Sequence, residues 1–440
     1  MEPVRQESNS AKGQRVRALY TLLLRMAAPL FWWQLWRRSR REGGKWQILG
    51  RERFGRYRAP CTQQAVWVHA VSLGETRAAR PLIDALLESG HTVLLTHTTA
   101  TAWTEARRAH AASIESGKLI QQWLPYDFPG SVRRFFRAWR PRVGLLIERE
   151  VWPNLVHAAR QSAVPLVLVS ARLSEKSQRQ MQRFDRLMRP AFGALEEVLA
   201  QTADDARRLL ACGARQVQVV GNLKFDVRVS PELVARGQAW ARQLGRPVVC
   251  IASTREGEEA LFIAAVTELL QTHAPEMGRV LFLLVPRHPQ RFDEVARMLG
   301  TSGMSYVRRS GWGEQAAAGD ATWVLGDSVG EMAAYYAASQ VAIIGGSFLD
   351  FGGQNLVEAC AAGVPVIVGP YTRNFAQAVE DAVAAGAAEQ VADPSAAVQL
   401  AVKWLDNNQL RLQRAQAART FVEANQGATA RVMGALSPWL

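Results

Sequence analysis

Cysteine is scarce in this chain: 440 residues hold four, Cys61, Cys212, Cys250 and Cys360. No CxxC pair and no His/Cys cluster occurs, which excludes a zinc-finger-like site and a disulfide framework and fits a reducing compartment. No GxGxxG follows the first strand pattern and no GxxxxGK(S/T) is present, so dinucleotide-binding and P-loop NTPase readings lose their support. A GxSxG nucleophile elbow is missing too, and no DxD-like acid pair marks a metal–nucleotide site. Acids are the minority charge, 39 against 53 Lys and Arg. What remains is 48% apolar with 33 glycines, a globular composition. The length suits two or three domains, each able to bury a core.

The basic excess is local. Residues 1–60 hold fourteen Lys or Arg and four acids, so +10 of the chain's +14 lies there. Trp32, Trp33, Trp36 and Trp46 sit in the same segment, and the stretch Ala18–Trp36 is apolar apart from Thr21, Arg25 and Gln34. No small-residue cleavage site ends the run, which argues against a signal peptide. A transmembrane span needs about 20 apolar residues, and Arg25 and Pro29 interrupt this one. Tryptophans at headgroup level beside a polybasic flank fit an interfacial anchor on anionic lipid. A helix simply packed on the protein is the plain alternative. Nucleic acid is the other usual partner of basic charge, but no nucleic-acid module accompanies it, so none is expected. Residues 1–45 are therefore read as a membrane-associating segment.

From Ala65 onward, short β-branched runs alternate with helical periodicity. Strands are expected at 65–69, 92–97, 143–147, 165–170, 197–200 and 216–220. The clearest helix covers Glu75–Glu88, with Ala79, Leu82, Ile83, Leu86 and Leu87 on one face. A second series places strands at 247–252, 280–285, 322–325, 341–344 and 365–368. Its helices are expected at 256–271, 290–299, 330–337, 355–361 and 374–385, with helix again from Pro394 onward. This is the βαβ signature of parallel, doubly wound sheets. Two Rossmann-like α/β domains are expected, 46–235 and 236–440, the last helix returning to the first domain. Such domains face each other across a cleft and bind ligands at the carboxyl ends of their strands.

The motifs fall in those loops. His69–Glu75 (HAVSLGE) follows a strand and opens a helix. Gly74 is expected to form the turn, and the helix end to favour the charged form of Glu75. A charged carboxylate at a cleft can accept a proton from an alcohol, although first-turn acids also stabilise helices without further role. Glu148 and Glu150 follow an apolar strand directly, and Trp152-Pro153 starts the next helix. Acids above a buried sheet are costly without a purpose, the alternative being an ion-pair cluster with Arg149 or Arg172. Gly221–Asp226 (GNLKFD) places Lys224 near the domain junction. In the second domain, Ser253 and Glu256 have capping-box spacing, and free N–H groups there could hold a phosphate. Arg287 follows a strand with a fork suited to phosphate oxygens. Gly326–Glu331 (GDSVGE) is another strand-to-helix turn. Gly345-Gly346 and Gly352-Gly353 precede Asn355–Glu358, where Glu358 is placed to meet ribose hydroxyls.

Together HAVSLGE, the E-x-E-x-W-P-N string at 148–154, GNLKFD, AST-x-EGEE, PRHPQRF, GDSVGE and GGQN-x-x-E-A resemble the 3-deoxy-D-manno-octulosonic acid (Kdo) transferases, in the family's order over nearly the whole chain. The resemblance implies a two-domain GT-B fold, with the acceptor in the N-terminal domain and CMP-Kdo in the C-terminal one. It implies an N-terminal membrane anchor and an inverting, metal-independent transfer to a lipid A precursor, lipid IVA. The reaction would take place at the cytoplasmic leaflet of a Gram-negative inner membrane, in lipopolysaccharide core synthesis, with no cofactor. Carried onto this chain, Glu75 is the base. Glu148 or Glu150, with Lys224, assists at the transition state. Pro286, Arg287, Val329, Gly330, Glu331, Asn355, Leu356, Val357 and Glu358 hold CMP. Gln354, Arg149 and Arg255 depart from the family's common His, Thr and His. The rival readings are a GT-B enzyme using a UDP-sugar and a non-catalytic membrane-tethered binder of sugar nucleotides.

Overall fold

The computed structural model describes residues 2–42, 46–58, 64–226, 230–272, 279–313 and 315–440. It divides the chain into two compact units, Met1–Asp226 with Gln426–Leu440, and Val227–Asn425. Cys212, Cys250 and Cys360 are free and buried, whereas Cys61 lies outside the described residues.

The first unit is built on seven parallel strands: β1 (Val66–His69), β2 (Val93–His97), β3 (Leu119–Trp123), β4 (Val143–Ile147), β5 (Leu166–Ala171), β6 (Glu197–Ala200) and β7 (Val217–Val219). Their order is β3-β2-β1-β4-β5-β6-β7. Strands β1, β2, β4 and β5 are buried at every residue, so they read as continuous apolar runs and were legible in the sequence. The order reverses between β1 and β4, which pair Val66 with Val143 and His69 with Leu146. The loops after these two strands therefore diverge and leave space for side chains above the sheet.

Four helices matter for the first unit's site. Helix α1 spans Glu2–Glu42, α2 Leu73–Glu88, α3 Pro129–Trp139 and α4 Pro153–Gln161. The expected stripe on α2 is the buried face, through Ala79, Leu82, Ile83 and Leu86. One face of α1 is tied to the unit. The Tyr20 hydroxyl donates to Asp127 (3.0 Å), Thr21 bonds Asn154, and the Trp32 ring meets Phe54 and Tyr126. Its other face leaves Leu19, Leu22, Leu23, Met26, Leu30 and Trp33 exposed at i, i+3, i+4 spacing. Among the described residues, no helix is long and apolar enough to cross a membrane.

The second unit repeats the plan with β8 (Val248–Thr254), β9 (Leu281–Pro286), β10 (Tyr306–Arg308), β11 (Trp323–Leu325), β12 (Val341–Ile344), β13 (Val366–Val368) and β14 (Ala388–Gln390). All are parallel, in the order β10-β11-β9-β8-β12-β13-β14. The reversal lies between β8 and β12, paired Val341 to Val249. The unit opens with α5 (Pro231–Leu244), so the boundary expected at 235/236 falls inside a helix. Further on are α6 (Glu258–Thr272), α7 (Met332–Ala337) and α8 (Val357–Ala361). Helices α5 and α7 meet at Gly237, where any Cβ would overlap the Ala334 carbonyl oxygen. Gly237→Ala is expected to destabilise the second unit by about 1–3 kcal/mol, because backbone cannot yield as a side chain can; urea denaturation measures it.

The chain then returns. Helix α9 (Ala428–Leu436) lies against α2 in the first unit, its Ala428, Val432 and Leu436 buried in the cluster that holds Ile83 and Leu223. The Asp226 carboxylate accepts the N–H groups of Gly427 (2.7 Å) and Thr429 at the start of this helix, as the unpaired N–H groups of a helix end require.

Candidate active site

The loop after β1 turns into α2 through Ser72, whose hydroxyl accepts the Glu75 N–H at 3.3 Å. Gly74 is not the turn before the helix; it lies in its first turn with ordinary helical φ. Glu75 answers with two bonds, accepting from the Val71 N–H (2.7 Å) and the Ser72 hydroxyl (3.1 Å). It is thus a capping residue, and it makes no ion pair among the described residues. The helix end was expected to favour the charged form of Glu75, and burial outweighs it. Burial pushes its carboxyl up to about 7, Glu150 and Glu148 add to the rise, and the Val71 and Ser72 bonds only partly oppose it. A half-buried acid poised near neutrality suits proton transfer.

Glu148 takes the loop after β4 out of the sheet at φ +61°, a costly conformation for a non-glycine residue. Cations hold it there. Lys224 Nζ lies 2.9 Å from one oxygen and Arg172 Nε 2.9 Å from the other. Burial opposes the charge, yet Lys224 and Arg172 keep the carboxyl below its usual value. The expected alternative of an ion-pair cluster is therefore realised at Glu148. Lys224 sits on a short turn capped by Asn222, whose side chain accepts the Lys224 N–H at 3.0 Å. Glu150 differs from Glu148, since burial pushes its carboxyl up, and its hydrogen bond from the Trp152 indole N–H is 2.9 Å long. The structure thus gathers Glu75, Glu148, Glu150 and Lys224 at one switch point.

Sequence reasoning missed what orients Glu150. His69 is fully buried, and burial takes its imidazole down to about 3, so it is neutral. Its ring lies edge-on to Trp152, centroids 5.5 Å apart, and that indole holds Glu150.

In the second unit the proposed nucleotide residues follow β9, β11 and β12. Pro286 ends β9, and the Arg287 N–H reaches the Thr254 carbonyl oxygen at 2.9 Å. Arg287 and Glu358 both act electrostatically on buried Tyr336. Val329 is exposed and Gly330 turns the chain at φ +89°. The Glu331 carboxylate is already taken by Arg236 and Arg309, each at 3.0 Å. Asn355 accepts the Val357 N–H (3.0 Å) and donates to Glu358 (3.2 Å). Leu356 and Val357 are buried. Helix α8 starts at Val357, not at Asn355, so Glu358 lies in its first turn.

The Ser253–Glu256 capping box is not formed. A bulge puts Ser253 at φ +58° and the helix begins at Glu258. Fully buried Glu258 supplies the acceptor, taking the N–H groups of Arg255 (2.8 Å), Gly346 (2.6 Å), Phe348 (2.9 Å) and Leu349 (3.4 Å). It thus fastens the loop after β12 to the loop after β8. Arg291 of the PRHPQRF block is structural, held by Glu259 at 3.2 Å and Glu294 at 3.0 Å. Among the described residues, no three His, Cys, Asp or Glu side chains are grouped as a metal site would need.

Residues 50–227 match the model of the 3-deoxy-D-manno-octulosonic-acid transferase (kdotransferase) N-terminal family, and residues 312–421 that of the glycosyl transferases group 1. The two family models together make the chain a glycosyltransferase. A 3-deoxy-D-manno-octulosonic acid transferase of Bordetella pertussis is 54% identical over 428 residues, 96% of this chain and 99% of the relative. The transferase of that name from Haemophilus influenzae is 31% identical over the same shares of the two chains. The chain belongs to the Kdo transferase family. In fold it is similar to the UDP-GlcNAc 2-epimerase of Neisseria meningitidis, with a TM-score of 0.51 at 14% identity over 85% of this chain and 100% of that one.

Proposed function

We propose that this protein transfers Kdo from CMP-Kdo to lipid IVA, with inversion and without a metal, at the cytoplasmic face of the inner membrane. The observation that carries the reading is Glu75, half-buried, unpaired by any cation among the described residues and poised near pH 7. Its carboxylate removes the proton of the acceptor hydroxyl as the oxygen attacks the anomeric carbon. The bond to the CMP phosphate breaks, and Arg287 meets the charge that develops on it. Glu148, neutralised by Lys224 and Arg172, and Glu150 position groups around the reacting oxygen. Asn355–Glu358 and the Val329–Glu331 turn receive the nucleoside. Mass spectrometry of lipid IVA incubated with the purified protein and a CMP-Kdo supply tests the reading. Added Kdo mass supports it; turnover of a UDP-sugar instead, or CMP binding without turnover, overturns it.

The exposed stripe of α1 supports membrane attachment. Its outer residues are apolar, and Arg37 and Arg40 lie over the rings of Trp33 (4.8 Å) and Trp36 (4.0 Å), which suits aromatic rings at the headgroup level beneath basic charge. Leu23→Glu/Met26→Glu is expected to release the protein from vesicles containing anionic lipid in a flotation assay. Its melting temperature should hold, since both side chains face outward. Undiminished flotation would remove the anchor.

A further inference from the structure

A cavity of about 490 Å³ between α1, α3 and α4 of the first unit has no part in the reaction proposed above. Arg17 and Arg25 of α1, Arg133 of α3 and His157 of α4 line it, with Ala18 and Leu22 on its apolar side and no carboxylate among the lining residues. None of the three arginines is in an ion pair among the described residues. The nearby acid is committed elsewhere. Asp127 accepts the N–H groups of Asn154 (3.1 Å) and Leu155 (2.7 Å) and the Tyr20 hydroxyl. Burial lowers the Arg17 guanidinium below its usual value, with Asp127 partly restoring it. Three guanidinium groups in one concavity without a matching acid form a site for an anion with several acceptor oxygens.

The second observation is where the cavity lies. Leu22 belongs both to its lining and to the exposed stripe of α1, so a ligand seated there meets charge and apolar surface together. The α4 wall also follows directly on the connection that carries Glu150 and Trp152. We propose that the cavity binds the phosphate headgroup of a lipid whose acyl chains lie along the α1 stripe. This rests on the reading that the protein works on a membrane lipid, and it adds the place where the lipid's phosphate is held.

Flotation of the full chain with phosphatidylcholine vesicles containing phosphatidic acid tests it, against phosphatidylcholine alone. Arg25→Gln/Arg133→Gln is expected to weaken binding to the phosphatidic acid vesicles by about a hundredfold or more, beyond the roughly thirtyfold that two basic side chains near the surface contribute through general attraction to anionic lipid. Arg137→Gln/Arg160→Gln removes the same charge from exposed positions on α3 and α4 outside the cavity; it should cost no more than that general contribution at physiological salt, where exposed charges are screened. Equal losses in the two pairs would overturn the proposal, as would equal flotation with and without phosphatidic acid alongside calorimetric binding of inorganic phosphate that the Arg25→Gln/Arg133→Gln pair abolishes, which would make this a free-anion site. A melting curve confirms that each pair stays folded. Because no donor is present, the outcome is separate from Kdo transfer: a protein that binds as expected but does not turn over would sink the proposed reaction and leave the cavity assignment standing.

Discussion

Glu75→Ala is expected to lower kcat about 10²–10⁴-fold, the range a positioned base contributes, while CMP affinity stays close to wild type. The two effects separate because Glu75 belongs to the first unit and the residues assigned to CMP belong to the second. Single-turnover transfer and calorimetric CMP titration check them, and a folded variant with full activity would remove the base. The pH profile sharpens the test. The base works deprotonated, and its carboxyl is pushed up to about 7, so kcat/KM should climb through that pH and level off above it. Glu150 adds to the rise, so Glu150→Gln should move the acidic limb to lower pH. Stability runs the other way. A folded-state value above the ordinary carboxyl value means that the protonated form is favoured in the native state. The stability it contributes is full below about 4.5 and is lost as pH rises through about 7. Glu75→Gln should therefore gain on wild type in melting temperature above pH 7. A residue that served only as a helix cap would show a loss there.

Glu258→Ala is expected to destabilise the second unit by on the order of 3 kcal/mol, since it strips an acceptor from four N–H groups at once, those of Gly346 and Phe348 in buried bonds. The residue is fully buried at the switch point and joins the loops after β8 and β12. Its removal should also lower CMP affinity, because the loop it holds leads into Asn355–Glu358. Urea denaturation and CMP titration measure the two effects. Glu258→Gln keeps one acceptor oxygen and should fall between. Unchanged denaturation in Glu258→Ala would mean that the loops hold themselves.

The central strands were legible because burial on both faces leaves only β-branched and apolar residues to choose from. The strands that sequence reasoning missed lie at or near sheet edges. In β3 the run Leu-Ile-Gln-Gln-Trp is half-buried at three positions, β10 reads Tyr-Val-Arg, and β14 reads Ala-Glu-Gln. A strand open on one side tolerates polar residues, so its pattern fades. Glu75, Glu148 and Glu150 were visible as acids after strands, but the state of Glu75 was not. It depends first on burial, and then on two carboxylates that the β1–β4 pairing brings near. Glu258 escaped for a related reason: its local setting is that of an ordinary first-turn acid, and its partners at 346–349 come from a distant loop.

The order in which the chain leaves the ribosome gives the return of α9 a consequence for synthesis. Residues 227–425 can complete their own core while the unit before them still shows an open apolar seam at Ile83 and Leu223. That seam closes only when Val432 and Leu436 emerge, so the lobe made first is finished last. Nascent chains stalled before residue 428 should expose it to a hydrophobic dye or a chaperone.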